Sequence, residues 1–210
     1  PQNSKMKELN VKKVSVANVP VESVPALLDK EKVAFQPVNT VNWDGFPYCP
    51  DVEFRIAHTA DAILLHFKVR EASVRAVAGQ DNGRVWEDAC VEFFSVPADD
   101  GVYYNMECNC AGTLLIGAGA GRGNRQHASQ EVLDKVQRWA SLGRASCEER
   151  VGECHWEVAL VIPYTAFFLH DIPSFDGKTI RANFYKCADK LQTPNFLSLN
   201  PNELEKPNIH

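Results

Sequence analysis

The sequence predicts a mainly β protein, an antiparallel β-sandwich of the jelly-roll or immunoglobulin-like type with one lateral α-helix. Short segments of alternating polar and apolar residues, bounded by turn residues, recur at the spacing typical of a sandwich. Hydrophobic residues make up 45% of the 210 residues, which is sufficient to fill one core. No internal repeat or Pro/Ser-rich linker divides the chain, so we expect a single domain over residues 1–210.

The first predicted elements are a weak edge strand at Val11–Val16 and a short helical turn at Val21–Lys30. A hairpin is expected next. In Val52–Thr59 apolar and charged residues alternate, and after a turn the segment Ile63–Val69 places its apolar residues on one face. Further strands with the same alternation are predicted at Cys90–Val96, Tyr103–Cys110, Thr113–Ile116, His155–Ile162 and Thr179–Cys187.

One segment, Ser129–Leu142, carries a helical pattern. Val132, Val136 and Trp139 follow one another at i, i+4 and i+7, and a glycine stands where the C-cap would be. The lateral helix is therefore expected here. A shorter helical turn is expected at Tyr164–Leu169, directly after a proline.

Charge argues against two classes of partner. The chain has 22 basic and 27 acidic residues, a net charge of −5 and a pI of about 5.7, so it has no excess of cations for a phosphate backbone or an anionic membrane. We expect no nucleic-acid partner and no membrane partner. The polar and basic start, Pro1–Lys13, does not resemble a signal peptide, and the compartment stays open.

The cysteines predict neither a disulfide network nor a metal site. There are seven, an odd number, and none forms a C-x-x-C pair. Cys108 and Cys110 lie on one face of a strand and, with Cys154 and His155, offer four metal-ligating side chains, but this spacing is not that of a zinc site. We expect reduced thiols, mostly in the core.

The glycine-rich stretch Gly117–Gly123 imitates the start of a dinucleotide-binding unit. It follows a strand and precedes the predicted helix, but neither register gives G-x-G-x-x-G and there is no G-K-[ST]. The alternation of strands and helices that such a fold requires is also missing. We expect a mobile or bulged loop.

Two carboxylates, Glu92 and Glu107, lie inside predicted strands, where an ionised group needs a partner. The strand of Glu92 is largely apolar on both faces, which predicts that Glu92 is half-buried. An internal arginine could hold its charge, or a polar ligand could. Two carboxylates at a suitable separation can also catalyse glycoside hydrolysis, so a glycosidase is one alternative function. The candidate arginines are Arg55, Arg75 and Arg181.

Trp86 stands between a polar loop and a strand, where it could be an exposed rim aromatic or a cover of the core. The run W-E-D-x-C-V-E-F-F at Trp86–Phe94, together with the segments Val69–Ala76, Tyr103–Asn109 and Arg181–Cys187, resembles carbohydrate-binding module family 9-like proteins. The resemblance extends from about Val38 to Asn208. It implies a sandwich related to DOMON domains, non-catalytic carbohydrate binding and a role in glycan degradation.

The resemblance also implies a site. Trp86 matches one of two tryptophans that enclose a reducing-end sugar, Glu92 matches an acid that binds sugar hydroxyls, and Asn105 falls near a polar sugar-binding position. Arg181 is a candidate from pattern alone, either to hold the charge of Glu92 or to contact sugar. A pyranose offers C–H faces for stacking and a rim of hydroxyls for carboxylate and amide groups.

The second tryptophan of the family is missing. Where the family carries Ser-Trp-x-Pro, this chain has Ser198-Leu199-Asn200-Pro201. The closing strand lies beyond the given residues, or one aromatic wall suffices, or the scaffold serves another use. Trp43 could replace the second wall, although a packing role is the favoured interpretation.

No cofactor is expected, although some family members hold structural calcium. Asp81, Asp88, Asp99 and Asp100 supply loop oxygens without a recognisable ligand spacing. A further alternative function is a DOMON-like heme or redox module. Its ligands would be Met106 with His58 or His66.

Overall fold

The computed structural model describes residues 7–201, and within them the chain forms two short helices and a series of strands. The helices are α1 (Val24–Lys30) and α2 (Gln130–Asp134). In chain order, the strands are β1 (Lys12–Lys13), β2 (Gln36–Pro37), β3 (Thr40–Val41), β4 (Asp51–His58), β5 (Ala62–Ala76), β6 (Cys90–Val96), β7 (Tyr103–Asn109), β8 (Leu114–Gly119), β9 (Gln126–His127), β10 (Gln137–Ala140), β11 (Cys147–Pro163), β12 (Arg181–Ala188) and β13 (Asn195–Ser198).

These strands form two sheets that pack face to face. Sheet A has the order β1-β4-β5-β11-β10, with β2 also beside β4, and sheet B has the order β3-β13-β12-β6-β7-β8-β9. Among residues 7–201 the strands pair antiparallel except for β1 with β4, which is parallel. The predicted fold class, a mainly β sandwich, is confirmed. The predicted strand Cys90–Val96 matches β6 at both ends.

The helix prediction is wrong in one place. Ser129 caps α2 as expected, with its hydroxyl accepting a hydrogen bond from the Val132 amide, but the helix ends at Asp134. Gln137–Ala140 is strand β10 and pairs with β11, so Trp139 lies on sheet A. Backbone pairing with β11 therefore overrides the helical spacing of the apolar residues.

The lateral helix instead lies at the position predicted as a short turn. A 3-10 turn at Val21–Ser23 runs into α1, and Val24 and Leu28, one helical turn apart, are buried on the outer side of sheet A. A proline in the first turn of α1 suits the helix start. Among the described helices, none has the length and apolar composition to cross a membrane.

Aromatic rings join the two sheets at the centre of the core. The ring of Phe54 on β4 stacks on that of Phe184 on β12 with centroids 3.7 Å apart, and Phe93 on β6 stacks on Phe184 at 5.2 Å. Because each ring comes from a different strand, this stack fixes the position of sheet B over sheet A.

The core also contains a buried ion pair between the sheets. Lys186 Nζ on β12 lies 3.0 Å from Glu71 Oε1 on β5, and both side chains are inaccessible to solvent. Lys186 also donates to Asn195 Oδ1 at 2.8 Å, and the Trp156 indole donates to Glu71 Oε2 at 2.6 Å. These hydrogen bonds satisfy charges that would otherwise be costly to bury.

Candidate functional site

Sheet B has a face directed away from the core, which we call the outer face. Directly opposed residues on neighbouring strands point to the same side of a sheet, so the outer-face residues form rows. One row contains Tyr185, Glu92, Glu107 and Leu115, from β12 to β8. The next row contains Asn183, Phe94, Asn105 and Gly117. The outer face therefore carries carboxylates, amides and aromatic rings in close proximity.

A chain of hydrogen bonds crosses this face and ends on Glu92. Arg125 Nη2 donates to Asn105 Oδ1, and Asn105 Nδ2 donates to Glu92 Oε1 at 2.5 Å. The Arg125 guanidinium also donates to the carbonyls of Tyr103 and Gly119, each at 3.1 Å, and lies 3.9 Å from the Tyr103 ring centroid. These contacts fix the orientation of the Asn105 amide and thus of the group that holds Glu92.

Arg125 is a site residue that sequence reasoning missed, because it lies at the end of the glycine-rich stretch. The prediction of a loop at Gly117–Gly123 is only partly correct, since Gly117 and Gly119 belong to β8. A Cβ at Gly119 would collide with the backbone carbonyl of Asn124, and a Cβ at Gly117 would already lie 3.6 Å from Arg125 Nη2. The two glycines thus let the chain turn back closely over β8 and leave room for the guanidinium.

Glu92 and Glu107 lie directly opposite each other on β6 and β7. Glu92 is 7% exposed and Glu107 is 2% exposed. Burial raises the pKa of Glu92 to about 7, against the opposing effect of the Asn105 hydrogen bond. Burial, and then the charge of Glu92, raise the pKa of Glu107 well above its usual range. Two negative charges on directly opposed residues repel each other. The pair of carboxyl groups therefore carries at most about one negative charge near neutral pH.

Trp86 lies beside the same face. It belongs to a 3-10 turn, Val85–Glu87, that leads into β6, and its partly buried side chain packs against the small apolar cluster of Val85, Cys90 and Leu115. The Arg84 guanidinium lies 6.0 Å from the ring. The ring therefore has one side on the protein while part of its surface stays accessible.

The structure places Arg181 away from Glu92. Arg181 is opposite Val96, whereas Tyr185, four positions further along β12, is opposite Glu92. Arg125, not Arg181, is the cation whose charge lowers the pKa of Glu92. The expectation that Arg181 holds the Glu92 charge is therefore wrong, because four strand residues separate the two positions by about 13 Å.

A core residue, Leu199, occupies the position where the family carries its second tryptophan. Leu199 is buried with the residues between the sheets. Trp43 lies near the outer face, where its ring meets Phe196 edge-on at 6.0 Å, and Phe196 is opposite Cys187 on β12. This contact agrees with the packing role favoured for Trp43.

The geometry disfavours both alternative functions. The carboxylates of Glu92 and Glu107 lie side by side on the outer face of sheet B and are nearly inaccessible to solvent. The two carboxylates of a glycosidase must instead flank an open cleft. Of the proposed heme ligands, Met106 and His66 do not converge. Met106 lies in the core between the sheets, whereas His66 lies on the far side of sheet A, where it contacts Glu157 and Arg55. The Nδ1 atom of His58 lies 3.7 Å from a carboxylate oxygen of Asp176.

Three of the four aspartates considered for calcium have partners within the protein. Asp81 forms a bidentate ion pair with Arg138, and Asp88 accepts hydrogen bonds from two backbone amides and Asn109. Asp100 accepts from His170 and from a backbone amide. The seven cysteines are all free thiols in the structure, three of them fully buried.

Comparison with known proteins agrees with this architecture. The family model for carbohydrate-binding family 9 matches residues 22–210. A comparison with curated protein sequences gives no significant match.

Solved structures show the same relationship. The crystal structure of a proposed carbohydrate-binding protein from Bacteroides uniformis is 60% identical, with a TM-score of 0.93 over 96% of this chain and 93% of that chain. A family 9 carbohydrate-binding module from Caldicellulosiruptor kristjanssonii, in complex with glucose, is 11% identical with a TM-score of 0.55, over 90% of this chain and 85% of that chain. The match of the family model over residues 22–210 shows that the chain belongs to carbohydrate-binding family 9.

Proposed function

We propose that the outer face of sheet B binds a sugar ring without catalysis, with Trp86 as the stacking platform and Glu92 and Asn105 as hydroxyl partners. The observation that carries this proposal is the hydrogen-bonded chain from Arg125 through Asn105 to Glu92 beside a partly exposed indole. The setting that we propose, glycan degradation, follows from the family.

The chemistry of the face suits a sugar. An indole ring contacts the apolar C–H face of a pyranose, while the hydroxyls at the ring edge need acceptors and donors. The Glu92 carboxylate accepts hydrogen bonds, and the Asn105 amide both accepts and donates them. Arg125 adds a donor whose orientation is already fixed. Arg181, which lies at the start of β12 opposite Val96, is proposed only for contact with a longer glycan that extends to that end of the sheet.

Glucose is the first probe because the structural relative from C. kristjanssonii was solved with it. We propose that the reducing end is the recognised part, as the resemblance implies. Calorimetric titration of the chain with glucose, cellobiose and methyl β-glucoside tests both points. We expect binding to the first two and much weaker binding to methyl β-glucoside, whose ring is intact but whose anomeric hydroxyl is blocked. Release of glucose from cellobiose during the titration would instead indicate an enzyme.

Replacing Glu92 tests the role of its carboxylate. Glu92→Gln keeps the shape and loses the charge, so it should weaken sugar binding less than Glu92→Ala does. Because the pKa of Glu92 is about 7, the charged acceptor forms as the pH rises, and affinity of the unmodified chain should increase between pH 5.5 and 8.5. Calorimetry at both ends of this range should show no such increase for Glu92→Gln. Equal affinity and equal pH dependence in all three proteins would contradict a contact between Glu92 and sugar.

A further inference from the structure

A group of three metal-ligating side chains lies at one end of the outer face. The thiols of Cys90 and Cys187 and a carboxylate oxygen of Glu107 all lie within 4.8 Å of one another. Cys90 and Cys187 are directly opposed on β6 and β12, and Glu107 reaches them from β7, on the other side of β6. It is the one group of three or more such side chains that the structure shows among residues 7–201.

A further carboxylate, that of Asp189, lies two residues after Cys187 and just past the end of β12. It does not belong to the group whose ligand atoms all lie within 4.8 Å of one another. The Asp189 Oδ2 atom is buried and accepts no hydrogen bond from the described part of the chain. A buried carboxylate oxygen without a donor is costly, and a nearby cation would reduce this cost.

We propose that Cys90, Cys187 and Glu107 form a binding site for a thiophilic divalent cation, with water as the fourth ligand, and that Zn²⁺ is the ion that fits it. Zinc prefers four ligands in a tetrahedron and combines thiolate sulfur with carboxylate oxygen. With Zn–S bonds of about 2.3 Å, two tetrahedral sulfur ligands are about 3.8 Å apart, which is compatible with the limit of 4.8 Å observed here.

Rules on the sequence spacing of metal ligands do not detect this site. Its ligands come from three strands that are adjacent in the sheet and distant in the sequence. It also adjoins the proposed sugar site, since Trp86 and Cys187 both pack against the cluster that contains Cys90. The metal proposal does not depend on sugar binding, and its test uses no sugar.

Cobalt(II) provides the test, because it occupies zinc sites and gives a charge-transfer absorption band when a thiolate binds it. The reduced chain is first freed of metal with a chelator and then titrated with Co²⁺ and afterwards with Zn²⁺. We expect a thiolate band that saturates at one Co²⁺ per chain and disappears as Zn²⁺ displaces cobalt. Zn²⁺ should also raise the melting temperature.

Single substitutions identify the ligands. Cys187→Ser, at a partly exposed position, should reduce the cobalt band and weaken Zn²⁺ binding at least tenfold, and Glu107→Gln should weaken binding without removing the band. Cys49→Ser removes an exposed thiol elsewhere and should bind like the unmodified chain. The proposal would be overturned by the absence of a thiolate band at saturating Co²⁺, or by an unchanged band in Cys187→Ser.

Discussion

Replacing Trp86 with Ala is expected to weaken sugar binding about tenfold to hundredfold, roughly 1–3 kcal/mol by analogy with bases stacked on aromatic side chains. The change removes the stacking surface while it leaves Glu92, Asn105 and Arg125 in place. Because the Trp86 ring is only partly buried in a small cluster, most of the stability should remain. Calorimetry with the sugar that binds the unmodified chain, and a thermal melt of the same sample, give both quantities.

Trp139→Ala is the matched control for this experiment. Trp139 is also a partly buried indole, but it packs on the outer side of sheet A, in a different cluster. Its loss should leave sugar affinity unchanged. If Trp86→Ala unfolds the chain and the unmodified chain binds no sugar, Trp86 is a core residue and the functional proposal reduces to a statement about fold.

Lys186→Met is expected to be the most damaging change to stability, with a cost of about 3–5 kcal/mol. The methionine fills the space but leaves Glu71 charged between the sheets, with the Trp156 indole as its remaining donor. Asn195 also loses the donor for its side-chain oxygen. Urea unfolding followed by fluorescence measures the change in the free energy of unfolding.

The double variant Lys186→Met with Glu71→Gln separates the ion pair from simple packing. It should recover part of the lost stability, because the uncompensated charge has gone. Lys13→Met, which breaks an exposed ion pair with Asp176, is the control and should change the midpoint little. If Lys186→Met behaves like Lys13→Met, the buried pair has no structural importance.

Local patterns predicted the position of the seven longest strands, at least in part, because alternation and turn residues are local signals. The segment that became β6 matched at both ends, and the family motif placed Trp86, Glu92 and Asn105 on one side of the molecule. The Glu92–Asn105 contact itself depends on how β6 and β7 are registered, which the sequence does not state. A resemblance to a family therefore carried more site information than any spacing within this chain.

Features that depend on long-range pairing were not predicted. Trp139 has the spacing of a helix but lies in β10, because β11 supplies a partner edge. Arg125 gave no signal, since its function depends on two glycines that let the chain turn back over β8. Cys90 and Cys187 are almost a hundred residues apart and meet only through the pairing of β6 with β12.

The central claim is that a sugar binds on the outer face of sheet B, against Trp86. Two-dimensional NMR of the ¹⁵N-labelled chain tests it directly, because each tryptophan gives one indole N–H signal, which substitution by Phe assigns. We predict that saturating sugar shifts the Trp86 signal and leaves those of Trp139 and Trp156, which belong to sheet A, in place. A Trp86 signal that stays fixed while the sugar is bound, or a shift confined to Trp139 or Trp156, would contradict the assignment.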